Sequence, residues 1–308
     1  MDASVRSGPV VVSIFAREAL TRGGDGAIAM QPERAFSKNR GSIMPLLGSD
    51  VLKKIRGGEL TLGLGVHHLR GSAVPMLAKA AGYDWLFIDA EHGTISTQEI
   101  SQICLAALPT GVAPIVRICS GALDEGTRAL DNGALGIVVP HVDTVEQARS
   151  LVATFRFHPM GHRSTGGPPA QFGYRPPPAL EAQKTLNAEI LVIPMIETPQ
   201  AVENADKIAA LEGIDALLIG TNDLALEMGI AGQVGHERIK AAYQTVADAC
   251  RRHNKVLGMG GVYDQEVASR YIGMGARMVL SGSDHNLLLE AATRRAQFLR
   301  GISHEAKG

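Results

Sequence analysis

Eight short apolar runs recur along the chain with helix-like segments between them, and that alternation limits the possible folds more than any other feature. The runs are 61–66 (T-L-G-L-G-V), 85–89 (W-L-F-I-D), 113–118 (A-P-I-V-R-I), 136–140 (G-I-V-V-P), 190–196, 216–220, 256–260 (V-L-G-M-G) and 277–281 (R-M-V-L-S). Each is too short for a helix and almost unbroken in apolar character, as a strand covered on both faces must be. Between them, Ser72 to Ala81, Thr97 to Leu108, Ala122 to Asn132, Thr144 to Phe155, Pro199 to Leu211, Glu237 to His253, Gln265 to Met274 and His285 to Leu299 follow helical periodicity. Asp264 stands where a helix would be capped, and Gly82, Gly133 and Gly275 where helices would stop. Eight strand–helix units predict an α/β fold, the (β/α)8 or TIM barrel. A doubly wound open sheet would not need eight units, and no G-x-G-x-x-G follows the first run.

The remainder of the chain is flanks and one insertion. Residues 1–45, punctuated by Gly23, Gly24 and Gly26, keep no period and predict a loosely ordered N-terminal extension; the catalytic barrel then spans 46–308. Ser49 to Gly57 predicts a short leading helix. The run at 9–16 is broken by Arg17 and Glu18, against a signal peptide. The Gly/Pro-rich insertion 156–178 carries His158, His162, Arg163 and Arg175, and leads into a predicted helix from Ala179 to Asn187. Its composition favours an ordered surface excursion or subunit contact over a direct part in the active site.

Charge and cysteine usage exclude several classes of partner. The net charge is -1 and no Lys/Arg run lines a face, so no nucleic acid is expected. No apolar stretch reaches the length of a membrane span, so no membrane is expected either. Cys104, Cys119 and Cys250 form an odd set without C-x-x-C spacing. They read as free, mostly buried thiols in a reducing cytoplasm.

In a parallel barrel the chemistry sits at the C-terminal ends of the strands. Those ends here carry Asp89, Glu91 and His92 after the second run, Arg117 in the third, Pro140-His141 after the fourth, Glu197 after the fifth and Asp223 after the sixth. Glu197 and Asp223 follow adjacent strands, so they are a candidate pair of oxygen ligands for a hard divalent ion. Mg²⁺ or Mn²⁺ fits best, with Co²⁺ or Zn²⁺ as alternatives, zinc because His92 is near. Each acid could instead cap the helix that follows it. The turn G-T-N-D (220–223) also leaves backbone N–H groups at a helix start, a cradle for a carboxylate. No lysine falls on this rim, and Lys255 precedes the seventh run and so belongs to the opposite end. Imine chemistry is therefore disfavoured.

D-W-L-F-I-D-A-E-H (84–92), P-I-V-R (114–117), I-E-T-P-Q-A (196–201), G-I-D-A-L-L-I-G-T-N-D-L (213–224) and E-M-G (227–229) together resemble the HpcH/HpaI family of metal-dependent 2-oxo-acid aldolases, over roughly Leu60 to Gly301. The resemblance implies a lyase that cleaves or forms a 4-hydroxy-2-oxo acid, giving pyruvate and an aldehyde through a pyruvate enolate. It implies that Glu197 and Asp223 bind the metal and that Arg117 stabilises the enolate oxygen. His92 is the implied acid/base, oriented by Asp89, and Gly220, Thr221 and Asn222 hold the pyruvate carboxylate. A homo-oligomer is implied too, a hexamer whose neighbouring chains complete each site.

Met195 and the G-T-N turn depart from the family's usual Gln and G-P-A, and they bear on the substrate more than on the metal. Val66-His67-His68 is a further departure: the histidines either contact the acceptor or sit in a solvated loop. G-M-G-G (258–261) and S-G-S-D (281–284) are either an anion site or plain turns. The same enolate chemistry would serve an oxaloacetate decarboxylase or a citrate-lyase-like acyl-CoA lyase. A catalytically silent ligand-binding barrel is disfavoured by the intact Asp/His/Arg/Glu/Asp set.

Overall fold

The computed structural model describes residues 45–302; expectations for the N-terminal extension lie outside it except at Pro45. The eight runs become strands β1 (Thr61–Val66), β2 (Trp85–Asp89), β3 (Ala113–Arg117), β4 (Gly136–Val139), β5 (Leu191–Ile196), β6 (Ala216–Gly220), β7 (Val256–Gly260) and β8 (Ala276–Ser283). Each pairs in parallel with its neighbours in chain order, and β8 closes onto β1. The predicted TIM barrel is the fold. β8 runs past its expected end because Ser283 still pairs with Gly65 after a register shift.

The outer layer is made by α1 (Ser49–Arg56), α2 (Ala73–Ala80), α3 (Thr97–Ala107), α4 (Leu123–Asp131), α5 (Val145–Phe155), α6 (Ala179–Glu189), α7 (Pro199–Ala209), α8 (Thr221–Glu227), α9 (Glu237–Arg252), α10 (Gln265–Gly273) and α11 (Asp284–Arg300). Sequence signals set their starts. Ser96 with Glu99 and Thr144 with Gln147 form reciprocal capping boxes on α3 and α5, and Asp264 caps α10 through the Val267 N–H. α8 is the helix that periodicity missed, because seven residues are too few to show a period. Strands β2 to β7 are buried at every position. Trp85 is fully buried against its β1 partner Gly63, where a Cβ would lie 2.4 Å from the indole.

The N-terminal end of the barrel is sealed by polar groups. α1 buries Leu52 and Ile55, while its Arg56 donates to the Ile190 carbonyl (3.2 Å) and to Asp215 Oδ1 (3.0 Å). Buried Arg156 donates to the carbonyls of Gly213, Asn187 and Ile190 and to Asp215 Oδ2, which also accepts the Val192 N–H at 2.8 Å. The insertion 156–178 packs at this same end. Gln171 is buried there and donates to the Leu130 (2.6 Å) and Ala134 (3.0 Å) carbonyls, and buried Arg163 pairs with Asp131. As a connection from α5 back to β5 it lies away from the C-terminal rim of its own barrel. It is an ordered excursion in this chain.

Candidate active site

The two acids are free of the capping duty that was their ordinary alternative. α7 is capped by Thr198, whose Oγ1 accepts the Ala201 N–H at 3.0 Å, with Pro199 in the first turn. Glu197 therefore stays at the tip of β5, almost fully buried, and its Oε2 accepts the His141 N–H at 2.8 Å. Asp223 lies inside the first turn of α8, which no side chain caps, so amides of that turn remain open. Gly220 joins the two acids: a Cβ there would stand 2.5 Å from Glu197 Oε1. Burial, together with the nearby charge of Asp223, raises the Glu197 carboxyl above its ordinary value, against the His141 N–H.

On the opposite wall, Arg117 and Asp89 form a buried bidentate pair, Nε to Oδ1 at 3.0 Å and Nη2 to Oδ2 at 2.5 Å. Arg117 Nη1 also lies 3.2 Å from Glu91. Burial would raise the Asp89 carboxyl, but Arg117 and the His92 N–H outweigh it and hold it below the usual carboxylate range. Burial likewise opposes the Arg117 charge, and Asp89, Glu91 and Glu197 overcome it. The guanidinium is thus permanently charged and fixed in direction.

A cavity of about 190 Å³ opens between these walls. Arg117, His92, Gly220, Thr221, Asn222 and Asp223 line it, and Glu197 lies beneath Gly220 and outside the lining itself. Asp89 sits behind Arg117. The Thr221 hydroxyl is committed to Tyr243 Oη at 2.7 Å, so any contact that Thr221 makes in the cavity goes through its backbone. Among the described residues no lysine lines the cavity; Lys255 is at the opposite end, bonded to the Leu211 and Ile214 carbonyls.

Some other lining residues were not singled out from the sequence. Tyr263 follows β7 with no charge pattern to mark it, and Phe87 is indistinguishable from a core residue in a buried strand; Met195, singled out as a departure from the family pattern, lines the cavity as well. The histidine pair after β1 is divided. His68 is exposed, whereas His67 lines the cavity with its Nδ1 3.2 Å from Asp89 Oδ2. His92 meets Asp89 only through its backbone N–H, at 3.1 Å; its imidazole is 64% exposed and lies nearest Glu91, at 3.8 Å. The implied orientation of the His92 ring by Asp89 is thus a backbone contact in this structure. In the S-G-S-D turn, Asp284 Oδ2 accepts the N–H groups of His67, His68 and Leu69, at 3.0, 2.7 and 2.6 Å, and Gly260 and Gly261 of G-M-G-G line the cavity.

Among the described residues no three His, Cys, Asp or Glu side chains converge to hold a metal by themselves. Two carboxylates beside a cavity still suit a hard cation whose other positions go to substrate and water. Their mutual repulsion at a buried site is itself a reason for a cation.

Residues 68–291 match the family model described as HpcH/HpaI aldolase/citrate lyase. A 4-hydroxy-4-methyl-2-oxoglutarate aldolase of Hapsidospora irregularis is 39% identical over 255 residues, covering 81% of this chain and 94% of that protein. A 2-keto-3-deoxy-L-rhamnonate aldolase of Salmonella gallinarum is 30% identical, covering 83% and 95%. The crystal structure of an HpcH/HpaI aldolase from Desulfitobacterium hafniense superposes with a TM-score of 0.77 at 28% identity, covering 83% of this chain and 98% of the other.

Proposed function

The chain belongs to the HpcH/HpaI aldolase/citrate lyase family and is a carbon–carbon lyase, and from that premise we propose that it cleaves a 4-hydroxy-2-oxo acid into pyruvate and a second carbonyl compound. The observation that carries this reading is one cavity lined by Arg117, fixed on Asp89, and by Asp223, with the Glu197 carboxylate beneath its Gly220 wall.

Glu197 and Asp223 would hold a divalent cation, Mg²⁺ or Mn²⁺ by the all-oxygen donor set. When bound, it supplies Lewis-acid stabilisation of negative charge on the keto oxygen. Arg117 faces the same developing charge and needs no reorganisation to meet it, because Asp89 fixes its plane. The open amides at the start of α8, Gly220 to Asn222, suit the pyruvate carboxylate. An imidazole receives the C4 hydroxyl proton; His92 and His67 both line the cavity. Loss of CO₂ from oxaloacetate would generate the same enolate without any hydroxyl proton to remove, so decarboxylation is expected as a second activity.

The assay is pyruvate release from 4-hydroxy-4-methyl-2-oxoglutarate with Mg²⁺ or Mn²⁺, before and after exhaustive chelation. Release restored only by metal is expected, and release undiminished by chelation would sink the metal assignment.

Two further proposals concern setting. The buried thiols Cys104 and Cys250 suit a reducing cytoplasm, and among the described residues no helix is long and apolar enough to cross a membrane. A homo-oligomer, with a hexamer as the implied form, is supported by α11, which leaves Leu288 65%, Leu289 67% and Phe298 61% exposed. A monomeric mass by light scattering would remove that proposal.

A further inference from the structure

No step of the cleavage uses Tyr243, yet this phenol lies on α9 with no accessible surface. Its Oη shares a hydrogen bond of 2.7 Å with the Thr221 hydroxyl, which is its only partner among the described residues. A buried hydroxyl needs such a partner, and Thr221, itself fully buried, belongs to the cavity wall. The ring of Tyr243 lies flat on that of Tyr271 from α10, with centroids 3.7 Å apart and planes 5° from parallel. Tyr271 is buried in turn, and its Oη donates to the Val234 carbonyl at 2.6 Å, in the connection from α8 to α9. The two tyrosines thus tie α9, α10 and that connection into one unit, and the unit grips the chain at Thr221.

Thr221 stands between the supports of the two acids. On one side is Gly220, where a Cβ would come within 2.5 Å of Glu197 Oε1. On the other, two residues along, is Asp223. α8, which carries Asp223, has seven residues and no side-chain cap, so its own hydrogen bonds fix it poorly. A β-branched side chain has few rotamers, so bonding the Thr221 hydroxyl to Tyr243 sets the course of the backbone on both sides of it.

Resting on the reading of Glu197 and Asp223 as a cation-binding pair, we infer that Tyr243 is a positioning residue: acting through Thr221, it sets the spacing of the two carboxylates. Tyr243 does not line the cavity, so the phenol touches neither cation nor substrate. Its effect falls on affinity, because two carboxylates repel each other and drift apart unless the chain holds them at the separation that one ion spans.

The test is the Mn²⁺ dissociation constant of the metal-free protein, titrated in a calorimeter, beside thermal unfolding in chelator. Tyr243→Phe and Thr221→Val each delete one hydroxyl and keep the shape of the side chain. Both are expected to weaken Mn²⁺ binding about 10- to 100-fold. Each also leaves the other hydroxyl buried and unpaired, so both should unfold at a lower temperature in chelator. The double variant removes both hydroxyls. Its melting temperature is expected to recover in part, while its Mn²⁺ affinity stays as low as in the single variants. Thr221→Ser, which retains the hydroxyl, should bind Mn²⁺ more tightly than Thr221→Val. An Mn²⁺ affinity unchanged in both single variants, with only the melting temperature lowered, would make the tie merely structural and overturn the inference. Affinity that recovers together with melting temperature in the double variant would overturn it as well. Mn²⁺ binding absent from the unaltered protein, or undiminished in Glu197→Ala, would remove the cation-binding pair and this inference with it, a result read before any Tyr243 variant is made.

Discussion

Gly220 shows how tightly single residues are specified at this site. Its missing side chain leaves the space that Glu197 fills, and a methyl carbon added there would come within 2.5 Å of Oε1. Gly220→Ala should therefore displace the Glu197 carboxylate. The expected result is metal-dependent cleavage reduced at least about 100-fold at a stability cost of roughly 1–3 kcal/mol, checked by kcat against added Mn²⁺ and by denaturant titration. Asp89 makes a prediction with a pH sign. Its folded pKa is depressed, so its stabilisation is complete above the unfolded carboxyl value of about 3.9 and disappears only as pH falls through the folded value. Lowering pH from 7 to 5 should cost nothing through this pair. Asp89→Ala should cost roughly 3–5 kcal/mol at pH 7, because it strands buried Arg117; equal melting curves for the two proteins would refute this. Asp89, Arg117, Glu197 and Asp223 were all legible in the sequence because ionisable groups at the ends of apolar runs have few other reasons to be there. His67 was only half legible: an imidazole in a turn looks the same whether it faces solvent or a carboxylate brought from another strand.

At the scale of elements, legibility followed length and capping chemistry. Strands were readable because parallel barrel strands are apolar throughout, and α3, α5 and α10 because their caps are written in Ser96, Thr144 and Asp264. α8 was hidden by brevity, and the place of the 156–178 insertion by its lack of any period. Once β4 and β5 are placed, barrel topology assigns that insertion to the N-terminal end. Capping also separates the acids proposed for the metal from a purely structural duty. Thr198 caps α7 and donates its hydroxyl to Asp143 Oδ1 at 2.5 Å, so Thr198→Ala should destabilise by about 1–2 kcal/mol. The loss should be the same with and without divalent metal, measured by thermal unfolding in chelator and in Mn²⁺. A Glu197→Ala enzyme should behave in the opposite way, losing the metal-induced stabilisation, about 2.7 kcal/mol for a ligand at 100 times its Kd, that the unaltered enzyme shows as a higher Tm in Mn²⁺.

The barrel buries Arg117 at its C-terminal rim and Arg156 at its N-terminal rim, and the contrast tests whether the ends divide the work. Arg117 at the C-terminal rim is held by Asp89 and borders the cavity; Arg156 at the N-terminal rim is held by Asp215 and three backbone carbonyls and borders no part of it. Both are nearly inaccessible, so truncating either strips buried acceptors of their donor. Asp215 keeps Arg56 at 3.0 Å and the Val192 N–H, but the Gly213, Asn187 and Ile190 carbonyls lose their Arg156 donors. Arg156→Ala should then lower stability by roughly 3–5 kcal/mol. Its kcat/KM, measured well below the melting transition, should stay within about three-fold of the unaltered enzyme, because in a barrel the N-terminal face carries stability and the C-terminal face carries chemistry. Arg117→Ala should lose cleavage by about 100-fold or more even at temperatures where the protein remains folded. If Arg156→Ala instead abolished turnover in a folded protein, the two rims would be coupled through the strands, and the assignment of chemistry to the C-terminal rim alone would have to be given up.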